Sequence, residues 1–157
     1  GGAVRAWAWR WAWRRLGHSR ESGRAIVEFV FLGVLMLVPL VYLVLTLGRV
    51  QAAAYAATSA AREAGRAFTT AETEGETLAR ARAAAALAFE DFGFGDEASV
   101  ELSCDGSPCL RPDARVSAVA TIRVRLPFVP SFVGDAIPTE IPVSATHVAT
   151  VDRFRGH

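Results

Sequence analysis

Lysine and asparagine are both missing from these 157 residues, so every permanent positive charge on a side chain is an arginine. That choice points to a GC-rich coding sequence more than to any chemistry. Without asparagine there is no N-x-S/T acceptor, which excludes N-glycosylation. Cysteine is scarce: Cys104 and Cys109 are the only two, too few ligands for a metal site. The three histidines, His18, His147 and His157, form no constellation, and His147 reads as an edge or half-buried strand residue. No Ser-His-Asp arrangement, phosphate-cradling glycine loop or paired-carboxylate motif occurs. Asp91, Asp96 and Glu97 read as solvated acids around a helix end. These absences lead us to expect a protein that is not an enzyme and carries no cofactor or metal.

Charge is also missing from one long stretch. Phe29 to Gly48, FVFLGVLMLVPLVYLVLTLG, is twenty residues without a charged side chain. As a helix it spans about 30 Å, the thickness of a bilayer's hydrocarbon core. Glu28 stands at its mouth, where an ionisable group is costly and usually functional. Residues 1 to 24 carry six arginines against Glu21, a net charge of +5. The whole chain carries +1, so the remainder carries −4. A basic segment before the span puts the N-terminus in the cytoplasm and the C-terminal part outside. A secretory signal has a shorter apolar run, although AAAYAATSA at 52 to 60 would supply small residues for a cut after it. Nucleic-acid binding by the basic leader is the weaker reading, because the cluster abuts the span.

In the leader, Trp7, Trp9, Trp11 and Trp13 alternate with Ala and Arg. That composition suits a membrane–water interface and equally suits a disordered tail. A helix is expected from about Arg24 to 67, and Pro39 at mid-span, by removing the hydrogen bond to the Leu35 carbonyl, favours a kink. Ala53, Ala57, Ala61 and Gly65 make a small-residue stripe at i+4 spacing that permits close backbone approach. It would pack on neighbouring subunits or, the favoured reading, on the protein's own sheet. Thr73-x-x-Glu76 has capping-box spacing. It introduces a second helix, about Glu76 to Phe92, with Leu78, Ala81, Ala85, Phe89 and Phe92 on one face. Gly93 and Gly95 stop that helix.

The period then changes to two. Val100, Leu102 and Cys104 alternate with polar neighbours. From 115 to 128, Val116, Ala118, Ala120, Ile122, Val124, Leu126 and Phe128 share a face, and Ile141 to Val151 alternates again. Such runs predict an antiparallel sheet with one buried face. Between the last two lies PFVPSFVGDAIPTEIP, 127 to 142, whose prolines forbid a regular central strand. Its Phe128, Val129, Phe132, Val133 and Ile137 would form a subunit contact or, the favoured reading, cover the domain's own core. Cys104 and Cys109 flank the turn formers Asp105-Gly106-Ser107-Pro108, on the expected outside. A structural disulfide is the favoured reading over a redox pair. The fold class expected is α+β: a long N-terminal helix with a membrane half and an external half, a second helix and a small antiparallel sheet.

The stretch ESGRAIVEFVFLGVLMLVPL resembles the N-terminal region of TadE-like minor pilins and pseudopilins of the Tad (Flp, type IVc) pilus system, and AAREAGR at 60 to 66 looks like the stretch that follows the span there. The resemblance covers about 20 to 67, and the Trp-rich leader is no part of it. It implies a basic cytoplasmic leader (1–23), a transmembrane segment (24–48) and an extracytoplasmic α+β pilin-like domain (49–157). It further implies cutting between Gly23 and Arg24 by a prepilin peptidase, with Phe29 opening the retained apolar run. The new Arg24 amine of one subunit would then pair with Glu28 of a neighbour. The implied partners are that peptidase, other Tad pilins and pseudopilins, the inner-membrane assembly platform and membrane lipid. An uncleaved, signal-anchored extracytoplasmic binding or structural protein is the alternative.

Overall fold

Alanine, leucine and arginine are good helix formers and dominate the first 69 residues, which fold into α1 (Ala3–Thr69). The computed structural model describes residues 3–134 and 136–154, with side chains from Glu21 onward apart from Ser131. The helix expected from about Arg24 therefore starts much earlier in the chain. An isolated glycine costs a helix roughly 1 kcal/mol relative to alanine, and Gly17 and Gly23 do not interrupt it. The side chains of Trp7, Trp9, Trp11, Trp13 and His18, and all of His157, lie outside the described residues.

The chain divides into two units, Gly1–Val44 and Leu45–His157. The described part of the first unit is helical throughout, with Pro39 inside the helix. From Ile26 to Val44 its side chains are exposed, apart from half-buried Tyr42. This helix is long and apolar enough to cross a membrane, and its most apolar window is not buried by the protein itself.

The second unit is α+β. The last part of α1 is followed by α2 (Thr77–Asp91), a 3-10 turn (Gly95–Glu97), β1 (Ala98–Cys104), β2 (Arg115–Arg125), the short α3 (Ser131–Gly134) and β3 (Glu140–Thr150). The strands form an antiparallel meander with β2 central. Ala98 pairs with Ile122 and Cys104 with Val116; on the other side Arg115 pairs with Thr150 and Arg125 with Glu140. Pro142 fits inside β3 because that strand is an edge, where a missing N–H need not break a ladder.

Period-two alternation in β2 turns Val116, Ala118, Ala120, Ile122 and Val124 into the buried face. Against this layer lies the core formed by Ala53, Ala56, Ala57, Ala60, Ala61 and Ala64 of α1 and Ala81, Ala85, Ala88 and Phe89 of α2. Gly65 is the tightest point. A Cβ there would lie 3.2 Å from Ala149 Cβ and 3.4 Å from His147 Cδ2. The small-residue stripe thus lets helix and sheet approach closely within one subunit.

The second helix departs from expectation at its start. Glu76 is the N-cap and makes no side-chain cap bond, so the capping box from Thr73 does not form. Residues 73–76 instead form a turn closed by the Glu76 N–H on the Thr73 carbonyl, and buried Thr77 donates its hydroxyl to the Glu74 carbonyl. Thr77 rather than Leu78 occupies the inward position; Leu78 and Phe92 stay exposed. The end of the helix matches expectation. Gly93 takes φ +78, its N–H reaches the Glu90 carbonyl, and the Phe94 N–H reaches the Phe89 carbonyl at 2.9 Å. That is a Schellman closure, with Phe89 and Phe94 both buried in the core.

The segment between β2 and β3 corrects a second expectation. β2 ends at Arg125. Leu126 still donates its N–H to the Thr139 carbonyl, and Pro127 then has no N–H to continue the ladder. Phe128 and Phe132 are 84% and 81% exposed and Ile137 is 49% exposed, so these residues do not cover the core. Of the five apolar residues expected to cover it, Val129 and Val133 are half-buried.

Candidate functional site

Two parts of the chain carry candidate chemistry, and they lie in different units. The first is the segment around Gly23, Arg24, Glu28 and Phe29 on α1. Helical rise sets Glu28 roughly 7.5 Å along the axis from Gly23 and about 140° around it. All four residues are exposed. Nothing lies within 4 Å of the position a Gly23 Cβ would take, so this residue's value is a bare, accessible backbone. The Gly23–Arg24 peptide is itself helical, and a protease that needs an extended substrate must unwind it first. Among the described residues, Glu28 has no ion-pair partner. Its helix offers a carboxylate at the edge of a surface that is apolar from Phe29 to Leu47. Such a group is stabilised in lipid or in a packed fibre only by neutralisation or by a cation from another molecule.

The second part is the connection between β1 and β2. Cys104 and Cys109 form a disulfide. The loop it closes is clamped from three sides. The Arg111 guanidinium pairs with Asp105 Oδ1 at 2.6 Å and also donates to the Pro108 carbonyl at 3.1 Å. The Asp105 N–H donates to the Arg115 carbonyl at 3.1 Å. From the α1–α2 connection, Glu74 Oε1 accepts the Leu110 N–H at 2.6 Å. A Cβ at Gly106 would stand 2.9 Å from Arg111 Nη1, so a larger residue there would displace the guanidinium that clamps the loop. Partial desolvation acts to raise the Asp105 pKa. It is outweighed by hydrogen bonds from the Arg115 backbone and the Arg111 side chain, by the Arg111 charge and by its own backbone N–H, so the carboxyl titrates below its ordinary value. With both sulfurs bonded and the loop pinned, this region acts as a staple on the sheet's end.

Glu74 and Arg111 do not stand out in the sequence. The Asp105 to Arg111 spacing across a Gly-Ser-Pro turn is a local signal for their pairing, whereas Glu74 finds Leu110 only through the tertiary fold. His147 is half-buried on β3 beside Gly65, as its strand position suggests. Among the described residues, no group of three histidines, cysteines or acids is placed to hold a metal ion. Comparison with protein-family models, curated proteins and solved structures finds no match to this chain.

Proposed function

We propose that this protein is a non-catalytic, TadE-like minor pilin or pseudopilin that takes part in assembling a Tad-type pilus or a related secretion pseudopilus. The observation that carries the reading is the layout at 1–48: a basic leader, a bare glycine at 23, Glu28 five residues on, and then an apolar helix long enough to span a membrane. The N-terminus lies in the bacterial cytoplasm and residues 49–157 lie outside. A prepilin peptidase cuts between Gly23 and Arg24 and leaves an α-amine with a reference pKa of about 8, mostly cationic at neutral pH. That amine meets Glu28 of the adjacent subunit, so that a charge otherwise unpaired in an apolar packing sets the register between helices. Other Tad pilins and pseudopilins and the inner-membrane assembly platform complete the set of partners.

The disulfide and the packed sheet fit this role, since an exported domain works without reducing agents or chaperones of the cytosol. One observation favours a second reading, an uncleaved signal anchor on an extracytoplasmic binding or structural domain: the helix runs unbroken through the Gly23–Arg24 bond.

A zero-length carbodiimide cross-link in cells making the whole pilus system tests the assembly step. The expected product joins the Arg24 amine to Glu28 of a second pilin subunit and vanishes in Glu28→Gln. Absence of any such product in cells that assemble the fibre overturns the pairing.

A further inference from the structure

The exposed aromatic tip between β2 and β3 lies at a particular end of the second unit. Three anchors define the ends. The α1–α2 connection meets the disulfide loop through Glu74 and Leu110, 2.6 Å apart. Gly65, four residues before the end of α1, sits against Ala149 at the close of β3 and near Ala118 early in β2. The Asp113 N–H joins the Val151 carbonyl, so the end of β3 lies beside the disulfide loop as well. The C-terminal end of α1, the disulfide and the end of β3 therefore share one end of the unit.

From there α1 runs back along the sheet. Its residues Ala53 to Ala64 are buried in the same core as Val116 to Val124, so the helix must follow β2 rather than leave it. Thr69 back to Leu45 is roughly 36 Å by helical rise. The eleven residues of β2 span about the same length. Leu45 and Leu47, both about half exposed, accordingly come level with Arg125 and Glu140 and with the connection between them. These are the last two leucines of the uncharged run, which ends at Gly48. At that same end Phe128, Phe132 and Ile137 point outward, and the 126–139 sequence contains no basic residue and a single acid.

We infer that the β2–β3 connection seats in the bilayer surface, with the Phe128 and Phe132 rings and Ile137 in the boundary between headgroups and acyl chains. The occupant of this apolar tip is lipid, the same medium that surrounds the uncharged run of α1; the inference rests on that run being a membrane span. Apolar side chains presented in this way insert a few ångströms into the boundary, and the gain scales with the area removed from water. The second contact holds the domain against the membrane, and leaving the membrane for a fibre requires the tip to come out. Phe154 is an internal control. It is as exposed as the two tip phenylalanines but follows β3, at the opposite end of the unit.

The full chain is reconstituted in phosphatidylcholine vesicles that carry a photoactivatable diazirine close to the headgroup, and adducts are mapped by peptide mass spectrometry. The expected result is labelling in 126–139 and in 29–48, with none at Phe154. The Phe128→Ser/Phe132→Ser chain loses the tip adducts several-fold and keeps those in 29–48. Both rings are exposed, so this variant folds, and an intact Cys104–Cys109 disulfide with native resistance to proteolysis verifies it. Labelling of 29–48 alone overturns the inference and leaves the span standing. Equal labelling of the tip and Phe154, or cross-links from the tip to a second copy in place of lipid, also overturns it. No labelling in 29–48 removes the span, and this inference with it.

Discussion

The Glu74 carboxylate accepts the backbone N–H of Leu110 at 2.6 Å and so joins segments 36 residues apart in the chain. It ties the corner between the two helices to the disulfide loop. A charge-assisted bond of this kind is stronger than a neutral one, although solvent exposure reduces its net value. Glu74→Ala is expected to destabilise the second unit by about 1 kcal/mol, and Glu74→Gln, which keeps an acceptor, by less. Hydrogen exchange reads this directly: the Leu110 amide is protected in the parent chain and exchanges faster in the alanine variant.

The contact between Gly65 and Ala149 sets the spacing of helix and sheet. A Cβ at Gly65 falls 3.2 Å from Ala149 Cβ, whose position is set by the strand backbone and cannot rotate away. Gly65→Leu should therefore overpack the interface and cost roughly 1–3 kcal/mol, seen as a lower melting temperature. An unchanged melting temperature would mean that the helix does not lie on β3 as described.

Asp105 makes stability depend on pH in a defined direction. Its folded-state pKa is depressed below the ordinary 3.8, so the folded chain binds this proton less readily than the unfolded chain. The associated stability is fully present above the ordinary value and is lost as pH falls through the folded value. The stability difference between the parent and Asp105→Asn is expected to be constant near neutral pH and to shrink below the ordinary value. Melting curves taken between neutral and strongly acidic pH check the sign.

Phe128 holds a left-handed backbone, φ +57, while its ring is exposed. A left-handed conformation costs a residue with a Cβ roughly 1–2 kcal/mol, and glycine avoids most of that penalty. Phe128→Gly is therefore expected to raise stability in detergent by up to about 1 kcal/mol, although it removes a large apolar side chain. Thermal unfolding of the purified variant decides this; a loss of stability would mean the ring packs on the domain.

Local patterns carried much of this fold, and their failures have specific causes. The alternation in 98–104, 115–125 and 140–150 made the strands legible, because one face of the sheet must be apolar. Gly93 marked the end of α2 because only a left-handed residue closes that helix. The capping box from Thr73 was misleading: the N-cap is Glu76, the helix starts one residue later than expected, and the Thr77 hydroxyl donates to the Glu74 carbonyl. Alternation continued past Arg125 to Phe128 in the sequence, but Pro127 ends the ladder and turns the apolar side chains outward. Periodicity cannot tell an apolar tip that serves a second medium from one that serves the core. At the N-terminus, helix-forming composition carried α1 past the glycine that suggested a boundary. The exposed Gly23 and Glu28 were legible as an unusual pair, while the clamp by Glu74 depended on contacts that no local spacing encodes.

The most direct test of the central claim is the intact mass of the membrane-bound product after the chain is made together with a prepilin peptidase. The account predicts a product that begins at Arg24 and retains the apolar helix, and that is absent with an inactive peptidase and with Gly23→Ala, which removes the bare backbone and strengthens the helix across the bond. An uncut chain, or a product that begins beyond Gly48, contradicts it.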